Sequence, residues 1–131
     1  KVDGWTALMI AAAEGHGETI VALLDAGAHP NGKNVLGRTP LMFASSGGFD
    51  SIVTALLARG ADPNVAPTDA EGRTALMVAA AAGHVQTVQA LLSGGADTSL
   101  TDKSGKSALM LAEAAGHSDV ADILRKHSQA K

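Results

Sequence analysis

The stretch from Gly37 to Asn64, GRTPLMFASSGGFDSIVTALLARGADPN, sets the architecture, because the rest of the chain is that stretch written three more times. It recurs as GWTALMIAAAEGHGETIVALLDAGAHPN from Gly4, GRTALMVAAAAGHVQTVQALLSGGADTS from Gly72 and GKSALMLAEAAGHSDVADILRKHSQ from Gly105. Thr6, Thr39, Thr74 and Ser107 open the blocks. Their period is about 33 residues, lengthened to about 35 between the second and third blocks, in the range of stacked helical repeats.

Each block predicts the same pair of short helices. Thr6 is a natural N-cap, and the apolar run Ala7 to Ala13 follows it as the first helix. In the second block Pro40 takes the first helical position, where its missing N–H is no loss. Gly15, Gly48, Gly83 and Gly116 stand where a left-handed residue ends such a helix. A second helix carries Ile20, Val21, Leu23 and Leu24 on its apolar face and closes at Gly27, and a polar turn leads to the next block. Helices of about eight residues are marginal alone in water, so stacking is obligatory. Ala11–Ala12, Ala79–Ala80 and Ala112 permit close approach, with Leu8, Leu41, Leu76 and Leu109 filling the space between.

Composition bounds the function. A chain of 131 residues with 46% hydrophobic content makes one continuous core, so 1–131 reads as one domain with repeats at about 1–33, 34–66, 67–101 and 102–131. Lys plus Arg number 10 and Asp plus Glu 13, a formal charge of -3, which argues against the basic footprint of a nucleic-acid binder. Without cysteine there is neither a disulfide framework nor a thiolate metal site, and a reducing compartment is compatible. The longest apolar runs, such as Ala75 to Ala82, fall far short of a membrane span, and no leader pattern opens the chain. It reads as soluble and intracellular. Lys1 stands inside a repeat and is not Met, which reads as an excised fragment or the loss of an upstream segment.

The pattern T-x-L-x-x-A-A-x-x-G-H…L-L…G-A-D-x-N resembles the ankyrin repeat, present four times over essentially the whole chain. The resemblance implies an all-α repeat fold: a curved solenoid of helix-turn-helix repeats joined by β-hairpin fingers. It also implies a binding module without catalytic residues or cofactor, whose partner protein or peptide is held by fingertips and the concave face of the first helices.

Departures from the pattern are informative. Where the family usually has His after T-P-L, this chain has its four methionines, Met9, Met42, Met77 and Met110. They read as core filling. The competing reading, a thioether ladder for a soft metal such as Cu(I), has neither cysteine nor a facing histidine to assist it. His16, His84 and His117 occupy the G-H step, where the resemblance implies a structural hydrogen bond to a neighbouring repeat. In the second block Phe49 replaces this histidine, and Ser45–Ser46 replace alanines, making that inner helix more polar. The connection VAPTDAE, with seven residues where GKNVL and LTDKS have five, suggests an exposed and slightly extended finger. Arg125, Lys126 and His127 follow Leu124 where earlier blocks carry Leu24, Leu57 and Leu92, so Ser118 to Lys131 reads as a polar C-terminal cap. The first block shows no matching cap, which raises self-association through the N-terminal end.

Laid on the family pattern, the fingers carry Val2, Asp3 and Trp5; Val35, Leu36 and Arg38; Ala70, Glu71 and Arg73; and Lys103, Ser104 and Lys106. The floor beside them is Ala13–Glu14, Ser46–Gly47, Ala81–Ala82 and Ala114–Ala115. Trp and Arg are enriched at interface hot spots, which selects Trp5 with Leu36 and Arg38 as the central patch. The row Arg38, Arg73 and Lys106 also reads as a solvated face. An enzyme would need convergent titratable groups, whereas the acidic and imidazole residues here recur once per repeat. The alternative to an interaction module is an inert spacer or engineered, consensus-like scaffold with no strong native partner.

Overall fold

A computed structural model describes residues 4–129, with side chains described for 7–128. Among the described residues eight helices follow one another: α1 (Gly4–Glu14), α2 (Gly17–Asp25), α3 (Pro40–Gly47), α4 (Asp50–Ala58), α5 (Ala75–Ala82), α6 (Val85–Ser93), α7 (Ala108–Ala114) and α8 (Ser118–Gln129). The odd-numbered helices stack on one another as an inner layer, and the even-numbered helices stack as an outer layer. No helix among the described residues is long and apolar enough to cross a membrane.

Local chemistry sets the helix ends. Thr74 and Ser107 cap α5 and α7, their hydroxyls accepting from the Met77 and Met110 amides at 3.4 and 3.3 Å. Thr39 occupies the same position before α3, but its Oγ1 is buried and makes no hydrogen bond. There the Met42 amide donates instead to the Thr39 carbonyl, at 3.1 Å. In the first block the expected N-cap is corrected: α1 begins at Gly4, so Trp5 and Thr6 lie within the helix. Asn34, Asp69 and Asp102 organise the other fingers, and the corresponding position in the first block is Lys1, whose side chain cannot accept.

Buried side chains from Leu8 to Leu124 form one cluster between the layers. Leu8, Leu41 and Leu76 are fully buried with Ala12, Ala44, Ala79, Ala80 and Ala112, while Leu109 is half-buried. Met9, Met42 and Met77 are core, whereas Met110 in the fourth repeat is 52% exposed. In α2 the expected apolar face is too wide: Ile20 and Leu24 are buried but Val21 is exposed. A two-layer stack buries only the i, i+4 stripe of its outer helix, and Val21 lies about 100° round from Ile20.

Repeats are joined through side chains as well as through the core. The His84 ring lies against Gly48, where a Cβ would come within 2.7 Å of it, and its Nε2 donates to the Ser46 carbonyl at 3.1 Å. Gly48 is left-handed at φ 72°, so glycine is required there twice over. His117 packs the same way on Gly83, and Phe49 on Gly15. The outer loops are clamped by asparagine. Asn31 donates to Gly60 O at 3.0 Å and accepts from Asp62 N at 2.7 Å; Asn64 donates to Gly95 O at 3.2 Å and accepts from Asp97 N at 2.7 Å. Ser99, in the third repeat, turns back onto Asp97. In α8, Arg125 pairs with Glu113 and Asp122 while Val120, Ala121 and Leu124 are buried, giving the expected helix with a polar outer face.

The fingers are loops, which corrects the expected β-hairpins: among the described residues the only β-type pairing is an isolated antiparallel bridge, Thr101 with Ser107. The reason lies in the turn residues. Asn34 Oδ1 accepts from the Leu36 and Arg38 amides, and Asp102 Oδ1 accepts from the Ser104 and Lys106 amides, each at 2.9 to 3.0 Å. Side chains thereby take amides that a strand ladder would have used.

Candidate functional site

The inner helices and the fingers meet along one side of the stack, and between the second and third repeats they enclose a groove of about 410 Å3. Its floor is Phe43 and Ser46 of α3 with Val78, Ala81 and Ala82 of α5. Each of these helices is short and buries the opposite face, through Leu41, Ala44, Leu76 and Ala79, which leaves these positions turned to the fingers. Phe43 and Val78 occupy one register, four residues after the capping threonine, and exposed Ile10 holds it in α1. The apolar line therefore crosses three repeats.

The wall is the pair of fingers Asn34–Arg38 and Pro67–Arg73, contributing Arg38, Pro67, Asp69, Glu71 and Arg73. Arg38 sends Nε and Nη2 to Asp69 Oδ2 at 2.9 and 2.8 Å, and the other Asp69 oxygen accepts from the amides of Gly72 at 2.8 Å and Glu71 at 3.2 Å. The Gly72 amide foremost, then the Arg38 guanidinium, hold the Asp69 carboxyl below its ordinary range against the opposing effect of burial. Asp102 is likewise held low, by the Lys106 and Ser104 amides and then by Arg73. Arg73 bridges more loosely, with Nε 3.5 Å from Asp102 Oδ2 and Nη1 3.7 Å from Glu71 Oε2.

The longer third finger is not a free extension. Pro67 is buried, Thr68 N donates to Leu36 O at 2.8 Å, and Lys103 N donates to Glu71 O at 2.9 Å. Lys103 Nζ adds hydrogen bonds to the carbonyls of Thr68 and Asp69. The third finger is thus tied to both its neighbours and forms part of the wall of the groove.

Of the residues selected from sequence, Arg38, Glu71 and Arg73 come together on this wall, above Ser46, Ala81 and Ala82. Val35, 97% exposed, and exposed Leu36 stand on the second finger and do not line the groove. Lys106 is exposed on the fourth finger. Val2 and Asp3 fall outside the described residues, as does the Trp5 side chain, although the backbone of Trp5 lies in α1, off the finger to which it was assigned. Phe43, Val78, Pro67 and Asp69 line the groove without being among the site residues selected from sequence. A signal for the first two was available: Ile10, Phe43, Val78 and Leu111 put a large apolar side chain in the same register of every block. Nothing local in the sequence announces the Arg38–Asp69 pair, which spans two repeats.

A second cleft, of about 680 Å3, lies in the outer layer between α2 and α4, where Gly17, Ala22, Ser51 and Ala55 leave space. Its polar rim is Glu18 and Asp25, and Arg59 engages the latter. Among the described residues no group of three or more His, Cys, Asp or Glu side chains could hold a metal ion.

A family model described as ankyrin repeats, in three copies, matches residues 1–67 and again 65–131. A search of the curated proteins returns no match.

Proposed function

The chain belongs to the ankyrin-repeat family, whose members are generally protein–protein interaction modules and typically non-enzymatic, and from that premise we propose that it holds a segment of a partner protein or peptide along its finger side. The segment lies over the groove between the second and third repeats. One observation carries this reading: an apolar floor of Phe43, Val78, Ala81 and Ala82 faces a wall of charged finger residues. Binding sites combine such a floor with a few placed polar groups, and the volume falls in their usual range of about 300–1,000 Å3. The outer cleft is larger but offers two carboxylates, one already engaged. Ile10 extends the floor towards the first repeat, and Leu36 with Val35 adds apolar surface beyond the wall. Arg38, Glu71 and Arg73 supply the charged contacts, with Lys106 as an outlying contributor.

The test is site-specific photo-crosslinking in lysate of the source cell. A photoreactive amino acid at Ala82, exposed on the floor, is compared with one at Ala58, exposed on α4. A partner captured from Ala82 and absent from Ala58 is the expected result. Equal capture from both places the partner elsewhere, and capture from neither favours an inert spacer.

A further inference from the structure

The charged groups of this groove are not equally committed, and that inequality selects a partner chemistry. Asp69 is saturated by two amides and two guanidinium nitrogens at hydrogen-bond length. Asp102 is buried and accepts from two amides. Asp69 has no capacity left for a cation brought by a partner, and Asp102, whose Oδ2 keeps only the long Arg73 contact, is closed to one by its burial. Arg38 spends two nitrogens on Asp69. Arg73 differs: its contacts at 3.5 and 3.7 Å lie beyond the usual N–H···O length of about 2.7–3.2 Å, its side chain is 30% exposed, and its Nη2 has no partner among the described residues. Glu71, at the long end of one of those contacts, is 64% exposed and remains solvated if it swings away.

We infer that the groove, on the reading proposed above, takes a partner segment in which an apolar side chain stands next to a carboxylate, and that Arg73 is the specificity-determining donor for that carboxylate. The apolar side chain enters between Phe43 and Val78, over Ala81 and Ala82. The carboxylate accepts from Nη1 and Nη2 of Arg73, displacing Glu71, and exchanges one long contact for a two-pronged charge-assisted pair. A basic segment finds only Glu71, out on the rim. The chain's charge of -3 does not oppose an acidic segment at contact range, because exposed charges are screened beyond about 8 Å at physiological salt.

A phage-displayed library of short random peptides, panned on the intact chain, tests this directly. Enrichment of peptides pairing Asp or Glu with a neighbouring large apolar residue is expected. Their affinity, read by fluorescence anisotropy of synthetic copies, should fall about tenfold in R73Q, recover in part in R73K, and decline with added salt. The S46Q/A82Q double variant changes two exposed helical floor positions to bulkier neutral side chains without removing packing; it should abolish binding, and circular dichroism confirms that each variant is folded. Peptides that need an open floor but carry no acidic bias, carry basic residues, or bind R73Q unchanged overturn the inference and leave the groove reading standing. No enrichment, or binding that survives S46Q/A82Q, overturns both.

Discussion

Replacing Ser45 by alanine should make this protein more stable. Ser45 is fully buried in α3, and its hydroxyl has no hydrogen-bond partner. A buried polar group left unsatisfied costs about 1–3 kcal/mol. Ala12 and Ala80, the residues in the same register of the first and third repeats, are also fully buried, so the stack accepts alanine there without rearrangement. Removing the oxygen leaves a small void, and lost contacts of about 0.1–0.2 kcal/mol per atom pair offset part of the gain. The net expectation is about 1 kcal/mol of added stability, or a rise in Tm of about 2–6 °C for a domain of this size. Urea and thermal unfolding followed by circular dichroism at 222 nm measure it, with an unchanged denaturant slope showing that the folded and unfolded states keep their compactness. Unchanged or reduced stability is the contrary outcome. It would mean that the hydroxyl is satisfied in solution, for example by the carbonyl one helical turn back.

Three further outcomes follow from the contacts between repeats. Asn64→Ala removes both halves of the clamp onto Gly95 and Asp97, and should cost about 1–3 kcal/mol in urea unfolding; loss below a few tenths would show that water replaces the clamp. Gly48→Ala combines left-handed strain with a Cβ only 2.7 Å from the His84 ring, whereas Gly60→Ala, at φ 91° with nothing within 4 Å, carries strain alone. Gly48→Ala should therefore be the more destabilising, and equal losses would show that the ring simply moves aside. Asp69 and Asp102 have folded pKa values below their ordinary range, so their contribution is present above the unfolded pKa of about 3.9 and is lost as pH falls through the folded values. The D69N/D102N variant should accordingly show a flatter decline in stability below about pH 5 than the parent, and superimposable acid limbs would contradict that assignment.

The sequence makes the repeats, the helix pairs and the glycine turns legible because each is local: a cap, an apolar run and a left-handed glycine fall within about a dozen residues and recur in every block. Gly15, Gly48, Gly83 and Gly116 all adopt the left-handed conformation expected of them, with φ of 72° to 81°. His84 makes the expected bond to its neighbouring repeat. Contacts that cross between repeats are less legible. The pairing of Arg38 with Asp69 joins residues 31 positions apart, and an exposed arginine reads as a solvated face until its partner is placed. Val21 reads as core because it adjoins Ile20, yet its register holds Thr54, Gln89 and Asp122 in the later blocks, a comparison that points outward. The groove was half legible. The small floor residues Ser46, Ala81 and Ala82 stand out when the blocks are laid on one another, whereas Phe43 and Val78, which line the same groove, are not among the residues the sequence selects. The third finger reads from its Pro67 and its charges as an exposed, extended loop; Thr68, Ala70 and Glu71 are exposed, and only the backbone bonds to Leu36 and from Lys103 show it spliced into its neighbours.

A partner held on the finger side between the second and third repeats leaves a footprint in backbone exchange. Amide hydrogen exchange of the chain, alone and saturated with a partner captured from Ala82, tests it most directly. Added protection is expected in residues 40–47, 67–73 and 75–82, with 17–25, 50–58 and 85–93 unchanged. Protection confined to those outer helices would contradict it.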